Sequence, residues 1–201
     1  MNAVVIVAHP DDEVIWCGGY LLQNPSVDWT VLSLCHGDDA DRTPKFRRVV
    51  QRLGGRAIIS DLDDGCPPDE IDVPRELGGR ICRLLGDQRW DLVLTHGPNG
   101  EYGHLRHRQT HAEVVRLVRQ MALDCDCLRC FAYDCQAPEG DCRAAEWADR
   151  RVELTDGQLA TKKELITSWY GCAADSFECR ACISPEWFRE WPIGQGEAGL
   201  A

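Results

Sequence analysis

Short apolar runs alternate along the chain with longer segments in which apolar residues recur every three or four positions. Five short runs rich in β-branched residues predict strands, at residues 4–8, 29–35, 57–61, 90–95 and 128–133. The segments between them predict helices, at about 14–22, 44–53, 73–85 and 107–121. Strand followed by helix, four times over, predicts an α/β fold with a Rossmann-like, doubly wound, mostly parallel sheet and helices on both faces.

The pattern weakens after the fifth predicted strand. A further strand is expected near residues 152–154 and a helix over 156–169. From about Gly171 the chain is rich in Gly, Pro, Trp and Cys, which predicts an irregular segment that wraps around the core. We therefore expect a single domain over residues 1–193 and a loose tail over 194–201.

Composition and charge narrow the classes of partner. The chain has 201 residues, 44% hydrophobic and 27% charged, which is ordinary for a folded domain. Its net charge of −11 repels phosphate backbones and anionic lipid surfaces, so we expect neither a nucleic-acid nor a membrane partner. No run approaches the roughly 18 apolar residues of a membrane span, and the start lacks the features of a signal peptide. We expect a cytoplasmic protein.

Ionisable side chains crowd the end of the first predicted strand, in the sequence Ala8-His9-Pro10-Asp11-Asp12-Glu13. Crowding one His and two carboxylates together is electrostatically costly unless a cation neutralises the negative charge. A donor set of His and carboxylate suits Zn²⁺ or Fe²⁺. The alternative is an Asp-Asp cap at a helix start with an incidental His. The stretch is thus a candidate metal site.

A second candidate cluster follows the fourth predicted strand, in the Gly-rich stretch 95–107. His104 and His107 are spaced i, i+3, which sets both rings on the same side of a helix start. In a doubly wound sheet of order 3-2-1-4-5, strands 1 and 4 are neighbours, and ligands bind between their carboxyl ends. This topology brings the two distant clusters into one site.

Together the two motifs resemble the signature of the PIG-L/LmbE-like metal-dependent N-deacetylases, a Pro/Ala-His-Pro-Asp-Asp-Glu hexapeptide followed by a later His-x-x-His. The resemblance extends more weakly through Arg42, Asp64-Gly65 and Lys163, so it covers most of the chain. It implies a zinc-dependent hydrolase, with Fe²⁺ as the other metal to consider. The implied substrate is a small N-acetylated amino sugar of the N-acetylglucosamine type, from which the acetyl group is removed.

Three protein ligands and one open position make up a hydrolytic metal site. His9, Asp12 and His107 are the best set in this chain, and the resemblance assigns the same three. Asp11 adjoins a ligand, but on an extended backbone it would face away from the metal. We therefore expect Asp11 to act as the general base.

The remaining site residues are assigned through the resemblance. It implies that Tyr102 and His104 stabilise the oxyanion and that His104 protonates the leaving amine. A loop aromatic packed over the site is the alternative for Tyr102. We expect Glu13 to cap the helix start or to orient the first ligand. Arg42 and Asp64 are candidate substrate-binding residues, with plain surface charges as the alternative.

One departure from the family pattern affects the second motif. Many relatives have Pro-Asp inside the His-x-x-His, where this chain has Leu105-Arg106. If Arg106 faced the site, its charge would lower the pKa of His104; if it faced solvent, it would have no catalytic effect. The other histidines are expected to be solvated loop residues or a satisfied helix residue: His36, His96 and His111.

The twelve cysteines leave a second function open. In a full α/β core we expect reduced cysteines that act as small buried hydrophobes. A thiolate metal site or disulfides are the alternative for Cys125, Cys127, Cys130, Cys135, Cys179 and Cys182. If these cysteines carried the function, the protein would be a non-catalytic or redox-regulated metal-binding protein of the same fold.

Overall fold

The computed structural model describes residues 1–65, 72–136 and 141–193. Among these residues, seven strands form one sheet in the order β3-β2-β1-β4-β5-β9-β8. The first five of these are parallel, and β9 runs antiparallel to both β5 and β8. The predicted order 3-2-1-4-5 is confirmed, and two further strands extend the sheet beyond β5.

The first half of the fold alternates strands and helices as predicted. The strands are β1 (Asn2–Val7), β2 (Asp28–Cys35), β3 (Gly55–Leu62), β4 (Leu92–Thr95) and β5 (Cys127–Phe131). The helices are α1 (Asp12–Gln23), α2 (Arg42–Arg52), α3 (Gly79–Leu85) after a π-helical segment (Pro74–Gly78), the short α4 (Gly100–Gly103) and α5 (Leu105–Arg119).

The apolar run of β1 is buried on both faces of the sheet. Val5 and Val7 pack into the cluster that includes α1 and α2, while Val4 and Ile6 pack into the cluster that includes α3 and α5. All four side chains are fully buried. This explains why the strand reads as a continuous β-branched run rather than as an alternation, because a parallel strand covered by helices on both faces has no solvent side.

The C-terminal part is more regular than its composition predicts. It contains β6 (Tyr133–Cys135), β7 (Cys142–Ala144), β8 (Arg150–Val152), α6 (Asp156–Glu164), a π-helical segment (Leu165–Tyr170), α7 (Phe177–Ala181) and β9 (Glu186–Pro192). The expectation of an irregular wrap after Gly171 was therefore wrong, because pairing with β5 and β8 makes residues 186–192 a strand. The expected tail, 194–201, lies outside the described residues.

A buried ion pair ties α1 to β9. Lys162 and Glu186 are fully buried, with 2.7 Å between Lys162 Nζ and Glu186 Oε1. Lys162 also donates to the Ile15 carbonyl, and Glu186 accepts from the backbone amides of Gly19 and Tyr20. Because removing one partner would leave the other charge buried and unpaired, the pair holds α1 firmly against the sheet. The neighbouring Lys163 is exposed.

Among the described cysteines there is one disulfide, between Cys135 of β6 and Cys142 of β7. The expectation that all were reduced was wrong at this pair, because the two residues lie directly opposite each other in an antiparallel hairpin. Among the described residues, the potential metal-binding groups contain His, Asp and no Cys. The thiolate metal site therefore finds no support there.

No helix of the described chain has the length and apolar character required to cross a bilayer.

Candidate metal centre

The two candidate clusters meet at one edge of the sheet. β1 and β4 are adjacent and parallel, with Ile6 opposite Thr95, so their carboxyl ends point the same way. His9 and Asp12 follow β1 directly, and His107 lies in the first turn of α5, after β4. The location expected for the site, between strands 1 and 4, is confirmed.

Three side chains converge there at metal-binding separations. His9 Nδ1 lies 3.2 Å from His107 Nε2. The Asp12 carboxylate lies 3.4 Å from each of them, through Oδ2 to His9 and Oδ1 to His107. In a tetrahedral zinc site with bonds of about 2.0–2.1 Å, neighbouring ligand atoms are about 3.3–3.4 Å apart. The spacing of the three groups therefore fits the ion that the sequence suggests.

Hydrogen bonds on the far side of each ring fix which nitrogens carry protons. A carboxylate only accepts, so His107 donates from Nδ1 to Glu101 (2.6 Å), and His9 donates from Nε2 to Asp64 (3.1 Å). The remaining nitrogens, His9 Nδ1 and His107 Nε2, face each other and the Asp12 carboxylate. The lone pairs of these two nitrogens repel each other and the carboxylate unless a cation lies between them. Carboxylates in the position of Glu101 and Asp64 commonly orient metal-binding histidines.

The electrostatics of the site agree with this. Burial by itself lowers the pKa of His9, but the contacts with Asp12 and Asp64 outweigh it and raise the pKa to about 10. The site therefore strongly favours a positive charge among these donors. Asp12 is itself held in place by the His9 amide and the Trp16 indole, each at 2.9 Å. The donor set, its spacing and its charge all fit a divalent metal ion.

His96 is part of the layer beneath this site. We expected a solvated loop residue, but His96 is fully buried and its ring stacks on His107 at 3.9 Å. The Ala8 amide donates to His96 Nε2 (3.0 Å), so Nδ1 carries the proton and donates to Glu101 (2.9 Å). The expectation was wrong because β4 ends next to β1, which buries the first residue after it. With Nε2 already accepting a hydrogen bond, His96 has no lone pair left for a metal.

Glu101 organises this layer, and no sequence pattern pointed to it. Its Oε2 accepts from both His96 and His107, and its Oε1 accepts from the Gly97 amide (2.7 Å). Its backbone is in the left-handed region, with φ 59°, and its side chain is fully buried. Strained conformations of non-glycine residues persist where the surroundings enforce them. Burial alone would raise the pKa of Glu101. The two histidines stabilise its carboxylate more strongly and hold the pKa at about 2.

Asp11 lines the pocket beside the metal-binding donors, on a backbone unlike the one expected. Its φ of 111° departs from the extended conformation assumed from the sequence, and that part of the reasoning was wrong. The Asp11 amide donates to Glu13 Oε2 (3.0 Å), and Tyr170 donates to Glu13 Oε1 (2.5 Å). Glu13 therefore holds the helix start rather than His9. Burial, followed by the charge of Asp12, raises the pKa of Asp11 well above its usual range.

His9 and Asp12 line a pocket of about 240 Å³. All the other site residues predicted from the sequence contribute to its walls, namely Tyr102, His104, Arg42 and Asp64. Sequence reasoning missed Trp16, Phe177 and Glu178. The last two belong to α7, whose only local signal is Ser176, an N-cap that accepts from the Cys179 amide.

Comparison with known proteins assigns the family. A family model described as PIG-L: GlcNAc-PI de-N-acetylase matches residues 4–118, which include both motifs. The chain belongs to the PIG-L family.

Relatives of this PIG-L chain include two 1D-myo-inositol 2-acetamido-2-deoxy-alpha-D-glucopyranoside deacetylases. The protein from Corynebacterium diphtheriae is 28% identical over 145 residues, covering 55% of this chain and 50% of the relative. The protein from Corynebacterium glutamicum (strain R) is 28% identical over 211 residues, covering 81% and 72%. The chain thus spans about half the length of several curated relatives.

Solved structures show the same fold. The N,N'-diacetylchitobiose deacetylase from Pyrococcus horikoshii gives a TM-score of 0.71 at 16% identity, covering 95% of this chain and 84% of that one. GalB, a 4-carboxy-2-hydroxymuconate hydratase from Pseudomonas putida, gives 0.59 at 16% identity, covering 90% and 82%. Since deacetylases and a hydratase share this architecture, the reaction of a PIG-L protein has to be argued from its site.

His104 lies at the pocket wall of this PIG-L chain with a depressed pKa. Its ring packs against His9 and His107, at centroid distances of 4.8 and 4.6 Å. Burial, followed by the charges of His107 and His9, lowers the pKa of His104 to about 4. Its buried Nδ1 has no hydrogen-bond partner among the described residues. The ring is therefore neutral at pH 7 and suited to donate a hydrogen bond rather than a proton.

Arg106 faces the protein interior, where its guanidinium contacts the loop that carries Asp64. Its guanidinium donates to the Asp63 carbonyl (2.9 Å) and to Gln109 (2.6 Å), and Nε lies 3.5 Å from Asp64 Oδ1. Burial is the largest cause of the lowered pKa of His104, followed by the charges of His107 and His9, whereas the sequence had suggested the charge of Arg106. Arg106 instead fixes the loop that carries Asp64.

Asp64 contacts one of the candidate metal ligands. Its Oδ1 accepts from His9 Nε2, the orienting role that the sequence had suggested for Glu13, and the bond with His9 lowers the pKa of Asp64. Arg42, the other candidate substrate-binding residue, also lines the pocket, with a half-exposed side chain beside Asp39.

Proposed function

We propose that this protein is a metal-dependent N-deacetylase that hydrolyses the acetamido group of an N-acetylated amino sugar, with Zn²⁺ as its ion and Fe²⁺ as the alternative. The observation that carries the proposal is the convergence of His9, Asp12 and His107 at the base of a pocket that His9, Asp12 and Asp11 line. The family match and the names of the curated relatives support the choice of substrate class. That strands from both ends of the chain, β1 to β5 with β8 and β9, share one sheet supports a single domain over residues 1–193.

His9, Asp12 and His107 would hold the ion. When bound, a divalent ion polarises the amide carbonyl and makes water a stronger acid. Asp11 takes the proton from the attacking water and returns it to the departing amine. Its raised pKa makes Asp11 a stronger base than an ordinary carboxylate, which favours uptake of the proton from water.

Negative charge develops on the amide oxygen during the attack and needs donors that already face it. Tyr102 and neutral His104 provide them from the pocket wall. Burial, followed by the charge of Asp12, raises the pKa of Tyr102, so its phenol stays protonated and able to donate. The depressed pKa of His104 favours the same role over that of an acid. Asp11 is therefore the better proton donor to the amine.

Asp11→Asn tests the reaction. The amide keeps the shape of the carboxylate but cannot take a proton, so turnover should fall by about 10²–10⁴-fold while the ion held by His9, Asp12 and His107 stays bound. Amine release from N-acetylglucosamine and its conjugates measures turnover, and elemental analysis measures the ion. Asp38→Asn, an exposed carboxylate elsewhere, is the matched control. Unchanged turnover in Asp11→Asn would remove Asp11 from the mechanism.

The ligand set is tested separately, by His9→Ala, Asp12→Ala and His107→Ala. Each should lose the ion, because a three-ligand site tolerates no missing ligand. Full metal occupancy in any of them would exclude that residue. If the intact protein holds its ion but releases no amine from a panel of acetylated sugars, the result favours the alternative hypothesis of a non-catalytic metal-binding protein.

A further inference from the structure

A second group of metal-binding side chains lies at the mouth of the pocket. One ligand atom from each of His9, His36 and Asp64 lies within 4.8 Å of the other two. His9 contributes through its outer edge, since Nε2 lies 3.1 Å from Asp64 Oδ1 while Nδ1 faces the inner donors. The rings of His9 and His36 are 5.8 Å apart. Two imidazoles and one carboxylate make a donor set typical of zinc and its neighbours in the first transition series.

We propose that His36, Asp64 and the outer nitrogen of His9 form a second, weaker site for a divalent transition-metal ion, and that its occupation closes the pocket.

The backbone of His36 supports this assignment. His36 has φ 66°, in the left-handed region that few non-glycine residues adopt. Thr43 holds the turn by donating to the His36 carbonyl (2.9 Å), so the unusual conformation is fixed and the ring lines the pocket. Strain of this kind concentrates at ligand sites.

The second site differs from the inner one in access. His36 and Asp64 are only partly buried, and the Asp64 side chain is 30% exposed, whereas Asp12 and His107 are buried. An ion can therefore enter from solvent without opening the protein, and water can fill its remaining positions. His36 and Asp64 line the same pocket as the inner donors His9 and Asp12, so an ion held by them would take up space that a substrate needs.

Its neighbours make the second site the weaker one. Arg106 contacts the same Asp64 oxygen, and Arg42 lines the same pocket. Their positive charges repel a metal ion and weaken its binding here. The ion also takes the place of the proton that His9 Nε2 donates to Asp64, and this proton passes to water. The inner site should thus fill first, and the outer site only in metal excess.

Metal counting tests the proposal without any activity measurement. Protein freed of metal by chelation is titrated with Zn²⁺ against a chromophoric competitor. The wild type should bind two ions, and His36→Asn should bind only the tighter one. Asn is chosen because it tolerates the left-handed backbone. Asp38→Asn, which removes an exposed carboxylate from the same loop, should still bind two.

A Co²⁺ titration of the wild type gives an independent measurement, because the visible absorption should rise in two phases. A single ion per wild-type chain at saturating Zn²⁺, a single Co²⁺ phase, or two ions in His36→Asn would each overturn the proposal. Retention of the first ion shows that the His36→Asn variant folds.

The closing of the pocket rests on the proposed deacetylase activity. Amine release by the wild type should rise as the first ion binds and fall in excess Zn²⁺, whereas His36→Asn should lose the inhibition. If no acetylated sugar is hydrolysed but two ions bind, the proposed function fails and the second metal site stands. If hydrolysis occurs and excess Zn²⁺ inhibits both proteins equally, the closing of the pocket is refuted.

Discussion

A single carboxylate, Glu101, sets the proton positions of two histidines in the metal centre. Because its Oε2 accepts from both His96 and His107, each ring is confined to one tautomer. His107 is thereby left with a free Nε2 facing Asp12. This arrangement makes the geometry of the centre depend on a residue that would not itself touch the ion.

Glu101→Gln should therefore weaken metal binding while preserving the fold. The amide has one accepting oxygen in place of two, and its NH₂ group would face an N–H donor, so at least one ring loses its partner. We expect zinc affinity to fall about 10–100-fold, as is usual for outer partners of metal-binding histidines. Competition with a chromophoric chelator measures this. Glu178→Gln removes a carboxylate from the pocket rim as a control, and equal affinities in the two variants would contradict the role of Glu101.

At the scale of elements, the site depends on loops that distant parts of the chain hold in place. The residues after β3 carry Asp64, and α5 carries Arg106, which binds the Asp63 carbonyl and thereby anchors that loop. Arg106 is almost fully buried although charged, and its contacts explain why. Arg106 thus supports the orientation of His9 indirectly, because it anchors the loop whose Asp64 contacts His9.

Arg106→Lys should loosen this connection. Lysine keeps the charge, but its single ammonium cannot reproduce the fork that reaches the loop carbonyls and Gln109 together. We expect the free energy of unfolding to fall by about 1–3 kcal/mol, the cost of lost hydrogen bonds to a charged group. Urea unfolding measures the change. Arg108→Lys, an exposed position on the same helix, should change it by no more than about 0.5 kcal/mol. Equal stability of both variants would show that the fork contributes nothing.

At the scale of the whole molecule, a partly buried histidine outside the candidate metal centre makes stability depend on pH. His111 donates from Nδ1 to the His96 carbonyl (2.8 Å), and burial lowers its pKa below the ordinary 6.5. Above that pH His111 is neutral in both the folded and the unfolded chain. As the pH falls below 6.5, the unfolded chain takes up a proton that the folded one resists, so unfolding becomes easier.

His111→Asn should remove this contribution. The difference in unfolding free energy between wild type and variant should be constant above about pH 6.5 and should shift against the wild type as the pH falls below it. Urea unfolding at a series of pH values, with a chelator present to exclude metal release, gives both curves. Parallel curves over the whole range would show that His111 titrates normally in the fold.

Local sequence determined the strands of the central sheet and the position of the candidate site, where β1 and β4 end. The buried runs of β1 and β4 are short, apolar and β-branched, so they form strands wherever helices cover them. The order of strands followed from the alternation with helices, and the meeting of His9 with His107 followed from that order. These conclusions depend on patterns within a few residues and on one rule of topology, and both can be read from a single sequence.

Tertiary structure alone decided what lies around the metal-binding donors. Whether His96 is solvated, whether Asp64 orients a ligand, and where Arg106 points each depend on contacts 42 to 88 residues apart in sequence. The same holds for β9, a strand only because β5 and β8 offer hydrogen bonds to its backbone. Residue type and spacing set which bonds a side chain can form. Which of them it does form is decided by the chain segments that the fold packs against it, because burial makes every unsatisfied polar group costly.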